Sequence, residues 1–235
     1  MSVVEHLGEL RHRILVSLVA VAAGAVVGFI FYERILDFLI EPYCGIERRP
    51  PGPCRLIVLD PLEGFATRLK VASYTGLFLA SPVVLFQLWR FITPGLNPNE
   101  KRYAVPFVLS SILLFCLGVL LARLTFPRAL DFLVGVGGPD LQAFFSPAKY
   151  LRFVLMVIVA FGVAFEFPVV LVFLQLAGVV SSRRLGAWRR PAVVAVLVVA
   201  AVITPSQDPY TLLAMAVPMY LFYEGSILVG RLLNR

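Results

Sequence analysis

Six stretches of the chain are apolar all round rather than along one stripe: residues 14–31, 65–91, 105–126, 150–176, 191–204 and 210–229. A stripe would predict helices resting on a soluble core. Apolarity on every face over these lengths predicts helices that span a bilayer, whose hydrocarbon layer of about 30 Å takes about 20 residues to cross. The last two are read as short helices, since Pro191–Thr204 holds only about 14 residues and "TPSQDP" then breaks the chain. They form either a shallow re-entrant hairpin or a pair crossing a locally thinned bilayer. The pattern predicts an all-α, polytopic membrane protein with six transmembrane helices in a single integral membrane domain over residues 1–235. "AVA" at Ala20–Ala22 looks like a signal-peptidase site, but the apolar run continues past it to Phe31 and glutamates precede it, so the first stretch is read as an uncleaved span.

Charges between the spans set the expected orientation. Arg11, Arg13, Arg90, Lys101, Arg102, Arg183, Arg184, Arg189, Arg190, Arg231 and Arg235 fall on one side. Two of these clusters sit on short loops, where excess positive charge marks the cytoplasm, so both termini are placed inside (N-in, C-in). The other side carries Arg48, Arg49, Arg55, Arg123 and Arg128, which weakens the contrast. Cys44 and Cys54 bracket "GIERRPPGP" in the first outer loop, where an oxidising compartment permits a disulfide. Cys116, inside the third span, is expected in the core.

Composition agrees with a membrane protein: 60% of residues are hydrophobic and 15% charged, against about 45–50% and about 25% in soluble domains. The net charge of +7 is dispersed in short clusters rather than gathered with interleaved aromatics, so nucleic acid is not an expected partner. The only histidines are His6 and His12, no cysteine–histidine spacing suits a metal, and no cofactor is implied. "GVGGPD" lacks the spacing and lysine of a phosphate-binding loop, and no nucleophile–histidine–carboxylate set is available, so the chain does not read as an enzyme.

What remains is carboxylates in unusual places. "FGVAFEFPVVLVF" (Phe161–Phe173) encloses a single glutamate, Glu166, in an otherwise apolar span. Such a residue costs a few kcal/mol at mid-bilayer and marks a functional site by default. The alternative is a structural role, with protonated Glu166 bonding the carbonyl that Pro168 leaves without its helical donor. Glu9 precedes the first span in "EHLGELRHR", and Glu100 precedes the third in "GLNPNEKR". Each could cap a helix or pair with its neighbour, Arg11 or Arg102. Together, two carboxylates could grip guanidinium groups in a bidentate geometry that lysine cannot reproduce.

"EHLGELRHR", "SPVVLFQLWRFITPGLNPNEKR" and "FGVAFEFPVV", with "VLSSILLFCLGVL" and "AVPMYLFYEGSI", together resemble the TatC family over essentially the whole chain. That family is the core receptor subunit of twin-arginine protein translocation. The resemblance implies a curved, glove-like arrangement of six tilted helices in the bacterial cytoplasmic membrane. It implies binding of twin-arginine signal peptides and export of folded cargo with TatA- and TatB-type single-span partners, in a larger complex holding several copies, driven by the proton-motive force. Carried over by motif, Glu9 and Glu100 match the glutamates that recognise the paired arginines. Arg11, Phe91, Pro94, Leu96, Lys101 and Arg102 match the surrounding pattern, and Glu166 matches the family's intramembrane acidic position. Our expectation for Glu166 is that it accepts a polar group from a TatA- or TatB-type helix, or stays protonated until that helix arrives.

The chain departs from the family at the tip between the last two spans. "TPSQDPYTLL" supplies Asp208 but places Thr211–Leu212 near where a glutamine is usual, with Gln207 before the aspartate instead, so Asp208 and Thr211 are the candidates there. A reading from another class is a proton-coupled secondary transporter using Glu166, although no internal repeat is evident. A third, a passive scaffold, leaves Glu9 and Glu100 without a shared role.

Overall fold

The computed structural model describes residues 3–46, 54, 56–92, 104–138, 144–206 and 208–233. Among them run α1 (Val3–Ile30), α2 (Tyr32–Cys44), α3 (Glu63–Ile92), α4 (Ala104–Val136), α5 (Pro147–Ala164), α6 (Phe167–Leu176), α7 (Ser182–Ala187), α8 (Arg189–Ile203) and α9 (Pro209–Leu232). Five stretches are long and apolar enough to cross a membrane: Glu5–Ile30, Glu63–Ile92, Val105–Val136, Pro147–Leu176 and Pro209–Leu232. The remaining predicted segment, α8, has 15 residues and so measures about 22 Å, short of a full hydrocarbon layer.

Three boundaries differ from the sequence expectation, each for a local reason. The polar stretch before residue 14 is helical and continues α1 without a break. The third helix runs on to Val136 through Pro127. The fourth breaks at Phe165–Glu166 because Pro168 has no N–H for the Ala164 carbonyl; Phe165 N bonds Phe161 O at 3.0 Å, and Glu166 N tightens onto Val163 O at 3.1 Å. In α3 the carbonyl of Phe78, orphaned by Pro82, accepts instead from the Ser81 hydroxyl at 2.7 Å.

Contacts between helices define two ends. At one, Arg13 on α1 donates to Gln87 on α3 at 3.0 Å, Trp89 stacks on Phe107 of α4, and Phe173 on α6 meets both rings. At the other, α2 folds over the bundle as a cap. Tyr43 packs on Phe145 and Tyr150, the Tyr150 hydroxyl donates to Leu39 O at 2.8 Å, and Arg123 on α4 pairs with Glu41. A disulfide joins Cys44 at the end of α2 to Cys54, with their Cα atoms 5.6 Å apart. Glu63, the first residue of α3, fastens the loop before it to α5: one carboxylate oxygen accepts from Leu59 N and the other from Ala148 N, both at 2.9 Å. Ala148 lies in the first turn of α5, where backbone donors have no helical partner.

Between the two ends, α1 and α3 pack closely because glycines face one another. A Cβ on Gly76 would lie 2.5 Å from Val21 O and 2.6 Å from Ala25 N, and one on Gly24 would lie 2.9 Å from Gly76 O. Such small-residue contacts hold helices together in lipid, where burying apolar surface brings no gain over the lipid tails. Arg68 closes the junction from the cap end, its guanidinium 4.3 Å from the Phe29 ring centre and 5.2 Å from that of Tyr32. The central helix is α5, with Val157 and Phe161 fully buried. Cys116, expected in the core, is exposed instead. An apolar residue in lipid is equally at home against a neighbour or against acyl chains, so its apolar setting does not select the buried face.

Candidate functional site

Glu9 does not lie in a loop before the first span; it is part of α1. Its partner is Arg13, not Arg11: Arg13 Nη2 donates to Glu9 Oε1 at 2.8 Å. The helix explains this, since residues four apart share a face and residues two apart do not. Arg11 accordingly points outward, exposed. Arg13 is steadied from behind by Gln87, so the carboxylate is held from one side by a chain running from α3 to α1. The Glu9 and Arg13 side chains are only 19% and 14% exposed, and Glu9 Oε2 is buried with no hydrogen-bond partner among the described residues. One oxygen is anchored and the other is free to accept. Beside it, His6 stacks on Phe91 with ring centres 4.4 Å apart, and an apolar groove of about 360 Å³ between α1 and α3 runs along Leu10, Ile14, Leu88 and Phe91. Glu100, Pro94, Leu96, Lys101 and Arg102 lie outside the described residues, as does Gln207.

Glu166 sits at the break between α5 and α6, half-buried, with Oε1 free of any hydrogen-bond partner among the described residues. Its carboxyl approaches the Ser111 hydroxyl on α4. That oxygen already accepts from Trp89 Nε1 at 2.7 Å, which leaves the serine proton available to the glutamate. No bond from Glu166 to the Ala164 carbonyl occurs among the described residues, so the freed-carbonyl role is not the one the geometry realises. Glu166 instead lines an apolar cavity of about 470 Å³ bounded by α2, α3, α4 and α5, with Phe38, Tyr74, Leu85 and Phe115 among its walls.

At the α8–α9 tip, Asp208 and Thr211 are engaged with each other. Asp208 is the N-cap of α9: Oδ1 accepts from Thr211 N at 2.8 Å, and Oδ2 accepts from the Thr211 hydroxyl. Ser206 joins through Thr211 Oγ1 at 2.7 Å. Both Asp208 and Thr211 are almost wholly buried. Helix capping accounts for their hydrogen bonds, and they turn inward rather than toward a neighbour.

The model of the family described as Sec-independent protein translocase protein (TatC) matches residues 5–218. The chain belongs to the TatC family. A TatC protein of Aquifex aeolicus is 42% identical over 238 residues, covering 100% of this chain and 97% of that protein. One from Frankia casuarinae is 42% identical over 243 residues, covering 100% of this chain and 67% of the relative. A crystal structure described as the twin arginine translocase receptor TatC superposes with a TM-score of 0.78 at 40% identity, covering 98% of this chain and 100% of that one. The resemblance of the motifs to TatC thus extends to the whole sequence and the three-dimensional fold. The family is one of translocase components rather than enzymes.

Reading the motifs alone missed the residues that surround these two carboxylates. Arg13 and Gln87 orient Glu9, while Ser111, itself held by Trp89, approaches Glu166. A signal was present: Gln87 and Ser111 are polar residues inside apolar stretches, where each needs a partner.

Proposed function

We propose that this chain is the twin-arginine signal-peptide receptor and core subunit of a translocase that exports folded proteins across the bacterial cytoplasmic membrane, with both its termini inside. The observation that carries the reading is the half-satisfied carboxylate of Glu9, held by Arg13 and Gln87 at the end of the bundle where α3 leads toward Glu100. A guanidinium completes such a carboxylate with parallel hydrogen bonds, and a primary ammonium does not. Glu100 is the second acceptor in this reading, with Arg11, Phe91, Pro94, Leu96, Lys101 and Arg102 shaping the approach. The likeness to the TatC relatives and to the receptor structure supports it. It lends nothing to the secondary-transporter alternative.

The deciding experiment is binding of a labelled twin-arginine signal peptide to the purified protein, with a twin-lysine peptide as competitor. Tight binding of the first and at least tenfold weaker binding of the second is expected. Equal binding of both rejects the carboxylate–guanidinium grip.

Glu166 serves the later step in this proposal. Its free oxygen and the adjoining cavity would receive a polar side chain of a TatA- or TatB-type helix, supported by the lack of an internal partner for Oε1. In this reading the chain assembles with such subunits and with further copies of itself, and export is driven by the proton-motive force. Replacing Glu166 with glutamine keeps the volume and removes the charge. Peptide binding is expected to persist while cargo transport in energised vesicles falls at least tenfold; unchanged transport would leave Glu166 a neutral hydrogen-bonding residue.

A further inference from the structure

The short α7 and the turn into α8 carry Arg183, Arg184, Arg189 and Arg190 within eight residues, and the Glu9 site does not use them. Ser181 caps α7 by accepting from Arg184 N at 3.2 Å, and the Tyr223 hydroxyl donates to Leu185 O at 2.7 Å, so Leu185 is driven into the packed cluster with Tyr223 and Ile227. With Leu185 inward, Arg183 and Arg184 are exposed, as are Arg190 at the start of α8 and Arg231 on α9. Arg231 belongs to the same surface: its Nη2 lies 3.5 Å from where a Cβ on Gly186 would stand.

Partnering divides these arginines. Arg189 is neutralised by Glu224, with hydrogen bonds of 2.8, 3.1 and 2.7 Å. Arg183, Arg184, Arg190 and Arg231 have no carboxylate within salt-bridge distance among the described residues. In their midst Trp188 is 55% exposed, an indole at the foot of an apolar helix, the level at which tryptophan sits at membrane–water interfaces. Directly above, Arg190, Val194 and Leu197 follow one another at spacings of four and three along one face of α8, and both apolar residues are exposed. A ligand gripped by the arginines would therefore have its remainder laid along an apolar surface.

We propose that Arg183, Arg184, Arg190 and Arg231, with Trp188 and the Val194–Leu197 face of α8, form a binding site for the phosphate head group and acyl chain of an anionic diacyl phospholipid. Guanidinium groups match phosphate oxygens bidentately, and a basic cluster at a helix end draws anionic lipid. A free phosphate would satisfy the arginines but leave the indole and the apolar stripe unused. An acidic protein segment would use the charges but has no reason to continue as hydrocarbon.

The two tryptophans make the test direct, because Trp89 is only 4% exposed and lies in a different cluster, leaving Trp188 as the indole within reach of lipid. The full chain is placed in phosphatidylcholine bilayers, and tryptophan emission is titrated with phosphatidylglycerol brominated in its acyl chains or with equally brominated phosphatidylcholine. Each guanidinium near an anionic surface contributes about fivefold, so the brominated phosphatidylglycerol should bind at least five times better. In the variant carrying Arg183→Gln, Arg184→Gln, Arg190→Gln and Arg231→Gln together the ratio should fall to about one with Trp89 emission unchanged. The selective quenching should vanish in Trp188→Phe and survive millimolar inorganic phosphate. Equal quenching by the two lipids in the parent protein overturns the site without recourse to any variant. So does selectivity that persists in the quadruple variant, and so does displacement by phosphate alone.

Discussion

Replacing Glu9 with glutamine should weaken twin-arginine peptide binding by roughly 10- to 100-fold, the equivalent of the ~1.5–3 kcal/mol that a hydrogen bond to a charged group contributes. Glutamine retains an amide oxygen to accept from Arg13, so the local arrangement that sets the side chain against α3 survives. What disappears is the negative charge on the oxygen that has no partner, Oε2. The loss is therefore expected in peptide affinity and not in the melting midpoint of the purified protein. Arg13→Gln provides the converse. It releases the carboxylate from its anchor, so affinity should fall through misplacement even though the acceptor charge remains. A titration in which the Glu9 variant binds as tightly as the parent would remove Glu9 from the recognition site.

The second large effect is expected at Gly76. Leucine there would bring a Cβ to 2.5 Å from the Val21 carbonyl and 2.6 Å from the Ala25 nitrogen, both backbone atoms that no rotamer change can move aside. The α1 helix has to retreat from α3, at the ~1–3 kcal/mol or more typical of overpacking. Because Arg13 reaches Gln87 across the same junction, the retreat also unmakes the support behind Glu9. We expect Gly76→Leu to melt several degrees lower in detergent and to bind signal peptide poorly. Gly225→Ala, where the added Cβ would meet nothing within 4 Å, should behave as the parent. Equal melting of the leucine variant and the parent would mean that the α1–α3 contact is not as close as the backbone distances indicate.

Glu166 illustrates how far the chain could be read directly. A lone carboxylate in an apolar span had to face something other than lipid, and the sequence located it without ambiguity. That it stands at a break between two helices followed from Pro168 in principle, but the sequence reading drew one continuous span. Its approach to Ser111 joins residues on helices far apart in the chain, and no pattern within either helix announces it. Glu9 shows the opposite failure. The residue was singled out as a candidate, yet its partner was misjudged because a polar prefix was taken for a loop. Once that prefix is helical, Arg13 rather than Arg11 shares its face. At the α8–α9 tip, Asp208 and Thr211 stood out as polar residues near a family position, whereas their geometry is that of a helix cap closed on itself.

By itself the sequence determined the class of protein, because transfer of apolar stretches into lipid depends on composition and length and not on who the neighbours are. It also determined where carboxylates and guanidinium groups occur, and hence which chemistry was open to the chain. The tertiary structure alone decided which of those groups are already satisfied. Among the described residues it bonded Arg189 to Glu224 and left Arg190 unpaired, and it anchored one oxygen of Glu9 and left the other without a partner. The physical reason is that lipid treats all apolar surfaces alike, so helix faces are chosen by close backbone contacts such as Gly24 on Gly76 and by polar groups finding partners. Both depend on residues brought together from distant parts of the chain.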